Sequence, residues 1–351
     1  MPYRIGAVVE QVDVVAVVGA CAPERQQYAR HLAAASDRML LPAERLARSL
    51  HPAHEAVDLA PWSDRPAGTI AEFPATASAI EIIGTLGAPH SATRLVGITC
   101  VVDAMHLLDD LSADDYLPTA RDALGRVTDC AARALITVTQ IEYASMIMLV
   151  NWEPLCTSDL SLVMALVSHL SPQARLQLQR EDLLLSLENI TYAPGQDRAG
   201  WVCLLNGDAD PHMTDRRVSG FRYEQLRPLH PGRLKTLLDR RIETGDFGHV
   251  VRSAGFCRMA TRPRDTYQWD HVGRSIAFHL AATDDGLDAE NELLAVGQDL
   301  AFIGIDLDHE ALTQALDEAA LTDAELTAGA TNWANFADPF PTWSPPQDLP
   351  N

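Results

Sequence analysis

Between Val12 and Ala35 the chain runs VDVVAVVGACAPERQQYARHLAAA, an apolar β-branched run, a glycine turn and a helical stretch. That order brings helix N-terminal N–H groups up to a phosphate in nucleotide-binding domains. A working P-loop reads G-x-x-x-x-G-K-[ST]: its backbone N–H groups cradle the phosphates, its Lys neutralises them and its Ser/Thr hydroxyl holds Mg²⁺. Here Gly19 stands alone and Arg25 is the only cation in the turn. A forked guanidinium on a helix does not reproduce a lysine wrapped by glycines.

The elements that must position these residues follow from periodicity. VDVVAVV at Val12, GTIAEF at Gly68, LVGITCVVDA at Leu95 and SMIMLV at Ser145 are apolar enough to be strands covered on both faces. Helical patterns lie between them, which predicts βαβ units, a mostly parallel sheet and an α/β fold. Thr157 or Ser158 can cap a helix carrying Leu160, Val163, Val167 and Leu170. Pro and Gly cluster near Asn189 to Arg198, where a domain boundary is expected, and WVCLLN at Trp201 reads as a new strand just beyond it. The second half offers a helix opening at His230-Pro231, strands at HVVRSAGFCRMA, SIAFHLA and QDLAFIGIDLD, and a helix capped by Asp308. Thr283 to Glu292 is an acidic insertion that reads as solvated, and the tail from Asp338 is Pro-rich and extended along the second domain.

The chain has 351 residues and a formal charge of −21, with 27 Lys and Arg against 48 Asp and Glu. That balance excludes a broad phosphate-neutralising nucleic-acid surface and suits a basic protein partner. No window approaches a membrane span and no leader pattern is present, so a cytoplasmic location is expected. Six cysteines are scattered with no C-x-x-C pair, so no local zinc motif is signalled. His51 and His54 share a helical face. With no third ligand in their segment they read as solvated surface. No Ser–His–Asp, Cys–His or paired-carboxylate spacing supports an enzyme of another class.

Read in order, several motifs resemble the CobW family of P-loop GTPases and zinc-handling chaperones: VVDA at Val101 with His106 to Asp110, QIEYA at Gln140 leading to SMIMLVNWEPL, Arg227-Pro228-Leu229-His230-Pro231, VVRSAGF at Val250, Ala260-Thr261-Arg262-Pro263, FIGIDLD, LTDAE and DPFPTW. The resemblance implies a P-loop-NTPase-like domain over residues 1–190 with helices on both sheet faces, a smaller α+β CobW C-terminal domain over 199–343 and a Pro-rich tail over 344–351. It also implies GTP with Mg²⁺ and zinc as cofactors. The residues that would hold them depart from the family pattern. The Gly-Lys-Thr is replaced by ACAPERQQ, the switch Glu-x-x-Gly keeps Glu72 but has Pro74 and Ala75, and the guanine-reading Asn-Lys-x-Asp is Asn151-Trp152-Glu153-Pro154. The Cys-x-Cys-Cys metal motif has no counterpart between Arg38 and Gly68.

The resemblance therefore implies a pseudo-GTPase adaptor in zinc homeostasis or the response to zinc limitation. It is similar to divergent actinobacterial members that recruit a ribosome hibernation factor, so the implied partner is a protein, such as a basic ribosome-associated or hibernation factor, with neither membrane nor nucleic acid directly engaged. The alternative is a GTP-binding metallochaperone using replacement groups, with Arg25 on phosphate, Glu72 near magnesium and Asn151 on the base. In the C-terminal domain the resemblance singles out His230, Arg252 and Arg262 as a partner or interface surface. Their other reading is structural, with the arginines paired to carboxylates and His230 capping the helix at Pro231.

Overall fold

In a computed structural model, residues 11–121, 126–180, 192, 198–284 and 297–340 are described. The chain divides into two compact units, residues 1–199 and 200–351. The predicted boundary segment lies outside the described residues except at Tyr192 and Arg198, as do the acidic insertion beyond Asp284 and the tail beyond Phe340.

In the first unit the chain runs β1 (Val12–Val18), α1 (Ala22–Ala35), β2 (Met39–Leu41), α2 (Ala43–Leu46), α3 (Pro52–Leu59), β3 (Thr69–Glu72), α4 (Ala79–Leu86), β4 (Thr93–Asp103) and α5 (Leu107–Leu111). A hairpin of β5 (Tyr116–Arg121) and β6 (Val127–Ala132) follows, then α6 (Arg133–Glu142), β7 (Met146–Val150), α7 (Thr157–Leu170) and β8 (Arg175–Leu178). Six strands form one sheet in the order β2-β3-β1-β4-β7-β8, every pairing parallel. Parallel strands need crossovers, and helices on the faces bury them. Val14 to Val18 and Met146 to Val150 are accordingly buried at every position instead of alternating. Tyr28, Ala29 and Leu32 of α1 pack on Val15, Val17, Met146 and Met148 of the sheet. The fold is α/β. Helix α7 begins one residue before its expected cap. The Cys156 carbonyl accepts the first helical bond, from Leu160 N–H, so Thr157 is already inside the helix.

The second unit runs α8 (Gly200–Asn206), β9 (Val218–Gln225), α9 (Pro231–Leu237) continuing through a π-turn at Leu238–Ile242, β10 (His249–Met259), β11 (Arg262–Val272), β12 (Ser275–Thr283) and β13 (Gln298–Ile305). It closes with α10 (His309–Ala319), α11 (Asp323–Ala328) and α12 (Ala330–Trp333). The sheet order is β12-β11-β10-β13-β9, all antiparallel. Leu234, Leu237, Leu312 and Leu316 join Trp269, Leu300 and Phe302 in its core.

WVCLLN is helix α8, not a strand. A six-residue apolar run carries no decisive period, and here tertiary packing decides. The helix lies against β13, β10 and β9. A Cβ at Gly220 in β9 would sit 2.9 Å from Leu204 Cδ1, so the bare glycine makes room for this helix.

Candidate functional site

The sheet order reverses direction around β1, and such switch points, at the carboxyl ends of parallel strands, are where α/β domains bind ligands. Gly19 follows β1, Glu72 ends β3, Asp103 ends β4 and Asn151 follows β7. Arg25 rises from the first turns of α1 beside them. The fold thus brings the four residues singled out from the sequence, Gly19, Arg25, Glu72 and Asn151, to one edge.

What Gly19, Arg25 and Glu72 do there is bond to each other and to the backbone. Only three residues, Gly19 to Cys21, separate β1 from α1, whereas a P-loop inserts a longer arc whose N–H groups surround an anion. Gly19 has φ +141°, and a Cβ on it would lie 2.2 Å from the Val101 carbonyl oxygen. The glycine is required because β4 lies against the turn, leaving no cradle between them. Arg25 is 4% exposed and Glu72 1%. The guanidinium donates from Nη1 to the Gly19 carbonyl and from Nε to Glu72 Oε1 at 3.3 Å. The second carboxylate oxygen accepts from Ala43 N–H at 3.2 Å. The cavity behind the turn, lined by Cys21, Asp103, Asp110 and Thr137, has a volume of about 10 Å³, room for one water at most. These residues do not fit GTP with Mg²⁺. The lysine is missing, the turn is closed, and the one cation and the switch carboxylate face each other.

The neighbouring strand ends form a second network. Asn151, in the left-handed region at φ +52°, donates from Nδ2 to Asp103 Oδ2 at 2.8 Å and to Glu24 Oε1 at 3.3 Å. Asp103 also accepts from Met105 N–H at 2.9 Å and pairs with His106 Nδ1 at 3.0 Å. Burial pushes the Asp103 carboxyl upward, but the bonds from His106, Asn151 and Met105 outweigh it and hold its pKa below the usual carboxylate range. The same bond raises the pKa of His106. Cys21 is not a nucleophile: burial, with Glu24 and Asp103 beside it, pushes its thiol up to about 12. With its amide spent on two carboxylates, Asn151 ties β7 to β4 and α1.

In the second unit the structure gives each singled-out residue an internal partner. His230 caps α9, its Nδ1 accepting from Gly232 N–H at 3.2 Å and Arg233 N–H at 3.4 Å, with its ring 4.4 Å from that of Phe336. Burial and the nearby Arg233 cation hold its pKa below the ordinary value, which keeps Nδ1 an acceptor. Arg252 is 2% exposed and donates to Asp270 and to the His271 carbonyl at 3.2 Å. The pairing with Asp270 is the carboxylate contact of the structural reading of Arg252. Arg262 pairs with Asp338 at 3.0 Å and donates to the Phe340 carbonyl at 3.0 Å, fastening the C-terminal segment.

One grouping was only half visible in the sequence. His51 and His54 are joined by Glu81, from a helix nearly thirty positions on, with donor atoms within 4.8 Å of one another. No spacing rule reaches Glu81, because only the packing of α3 on α4 puts it there.

A parallel α/β unit followed by an antiparallel sheet with its own helices is a two-part architecture, and residues 218–320, from β9 through α10, match the cobalamin synthesis protein cobW C-terminal domain. The second unit carries a domain of that family. The chain is similar to the zinc-regulated GTPase metalloprotein activator 1 of Dictyostelium discoideum, at 25% identity over 286 residues, 74% of this chain and 59% of that protein. The chain thus spans less than two thirds of the length of the curated relative it matches. Among solved structures it is similar to the Zn(II)-bound YjiA GTPase from E. coli at 13% identity, covering 89% of this chain and 99% of that one with a TM-score of 0.34, and to a Zn(II)-bound triple mutant of YjiA at 15% identity, with the same coverage and TM-score. Among the described residues no helix is long and apolar enough to cross a membrane.

Proposed function

We propose that this CobW-like chain is a pseudo-GTPase: its α/β unit is kept as a scaffold, and it works as an adaptor in zinc homeostasis or the response to zinc limitation. The observation that carries the reading is the three-residue turn at Gly19, with Arg25 turned inward onto Glu72 and the Gly19 carbonyl. Phosphoryl transfer requires phosphates, Mg²⁺ and a nucleophile positioned together, and here the groups nearest the phosphate position already satisfy one another. The similarity to a zinc-regulated activator supports the zinc context.

The partner proposed is a basic ribosome-associated protein such as a hibernation factor, since an acidic chain of net charge −21 attracts a basic protein and repels rRNA. His230 and Arg262 are left out of the docking surface, being held internally by α9 and Asp338. Two measurements test this. Calorimetry with millimolar GTP and Mg²⁺ is expected to show no binding heat, and saturable binding refutes the pseudo-GTPase. Affinity capture at low and moderate salt is expected to retain a ribosome-associated protein; recovery of none refutes the adaptor.

A further inference from the structure

We propose that His51, His54 and Glu81 form a zinc-class metal site on the α3/α4 surface of the first unit. Two imidazoles and a carboxylate make the donor set of an open Zn²⁺ site, leaving one position for water or an incoming ligand. The three donor atoms lie within 4.8 Å of one another. Tetrahedral bonds of about 2.0–2.1 Å place ligand atoms about 3.3 Å apart, so the closure needed is about 1.5 Å, within reach of side-chain rotation on an exposed surface.

Three features set this grouping apart from a chance cluster of polar side chains. The first is that its donors are uncommitted. Among the described residues, none of the three side chains has a hydrogen bond or ion pair. The next carboxylate along, Glu55, is held by Arg45 at 2.7 Å. Second, the backbones carrying the ligands are fixed. His51 is the residue before α3, its N–H donating to Ser49 Oγ at 3.2 Å, and Pro52 sets the first helical φ. His54 then sits one turn above His51, their rings 5.7 Å apart and edge-on at 74°. Glu81 occupies the first turn of α4, where its N–H donates to the Ser78 cap at 3.3 Å.

The third feature is how the helices meet. Ala53 and Ala56 of α3, and Ala79 and Ile82 of α4, are buried while the ligands on the same two helices are exposed. A metal here would pin the start of α3 to the start of α4. The inference stands apart from the nucleotide question, since neither Arg25 nor Glu72 enters it.

The test uses the full chain and Zn²⁺ alone, titrated in competition with a chromogenic chelator, beside His54→Ala, Glu81→Gln and, as control, His31→Ala on α1. The wild type and the His31 variant are expected to bind one equivalent and to melt at higher temperature with zinc. The His54 and Glu81 variants are expected to lose at least tenfold in affinity and to lose the thermal shift, while their zinc-free melting stays unchanged. Co²⁺ in the wild type should give a visible spectrum of nitrogen and oxygen ligation without thiolate charge transfer. The proposal is overturned by undiminished binding in the two variants, by thiolate bands pointing to the exposed Cys130 or Cys156, or by no zinc binding in the wild type.

Discussion

Arg25 separates a filled nucleotide site from a working one, and replacing it decides between them. Arg25→Met keeps the length and apolar stem of the side chain but removes the guanidinium from Glu72 and the Gly19 carbonyl. Glu72, 1% exposed, is left with Ala43 N–H as its remaining partner. Removing one member of a buried ion pair costs about 3–5 kcal/mol, because the other charge stays buried without compensation. For a unit near 200 residues each kcal/mol lowers Tm by roughly 2–4 °C. The single variant should therefore melt roughly 6–20 °C below the wild type in scanning calorimetry. Replacing both partners, as in Arg25→Met with Glu72→Met, removes the stranded charge and should recover most of that loss, since apolar substitutes for a buried pair are often neutral. Neither variant should change its melting when millimolar GTP and Mg²⁺ are added. If instead Arg25→Met melts within a degree of the wild type, and a GTP-dependent rise present in the wild type disappears with it, Arg25 is a phosphate ligand and the pair does not hold the turn.

Two other predictions rest on geometry described above. Gly19→Ala places a Cβ 2.2 Å from the Val101 carbonyl at a φ that costs a side chain about 1–3 kcal/mol on its own; thermal melting should fall by several degrees, and an unchanged Tm would mean that the turn relaxes freely. His271 lies buried beside Ser253 Oγ at 3.0 Å, and burial, with the Arg252 cation, lowers its pKa to about 4. The unfolded histidine, near 6.5, binds its proton first, so stability is complete above about pH 6.5 and falls as pH drops toward 4, by about 3 kcal/mol across the window. Denaturant unfolding followed from pH 7 to 4 should show that decline, reduced in His271→Gln; equal slopes for both proteins would place the proton elsewhere.

The α/β half was readable because its strands are buried on both faces. Runs such as VDVVAVV and SMIMLV announce themselves by composition, and the helices between them by period. The antiparallel half was harder. β11, with Arg262, Arg264, Asp265 and Asp270, carries enough charge to read as loop, and becomes a strand because its polar side chains find partners: Arg252 for Asp270, Asp338 for Arg262. α8 failed in the opposite sense, its apolar run fitting strand or helix until Gly220 opened a place for Leu204. Among the site residues, the loss of the phosphate lysine was visible in the sequence. That Arg25 had turned inward was not, because its partner Glu72 is 47 positions away and the pairing exists only across the sheet edge.

The stretch that follows α12 has a consequence for where this protein can be divided. The matched domain ends at residue 320, yet Phe340 is buried against Phe278, 5.0 Å between ring centroids, and Phe278 in turn meets Trp269 edge-on at 5.4 Å. Asp338 holds this segment in place through Thr261 and Arg262. A fragment cut at the end of the matched region would expose the edge of that aromatic stack and strand two polar groups. The matched region and the folding module therefore have different ends, and the closing residues act as a wedge that completes the core through Phe340.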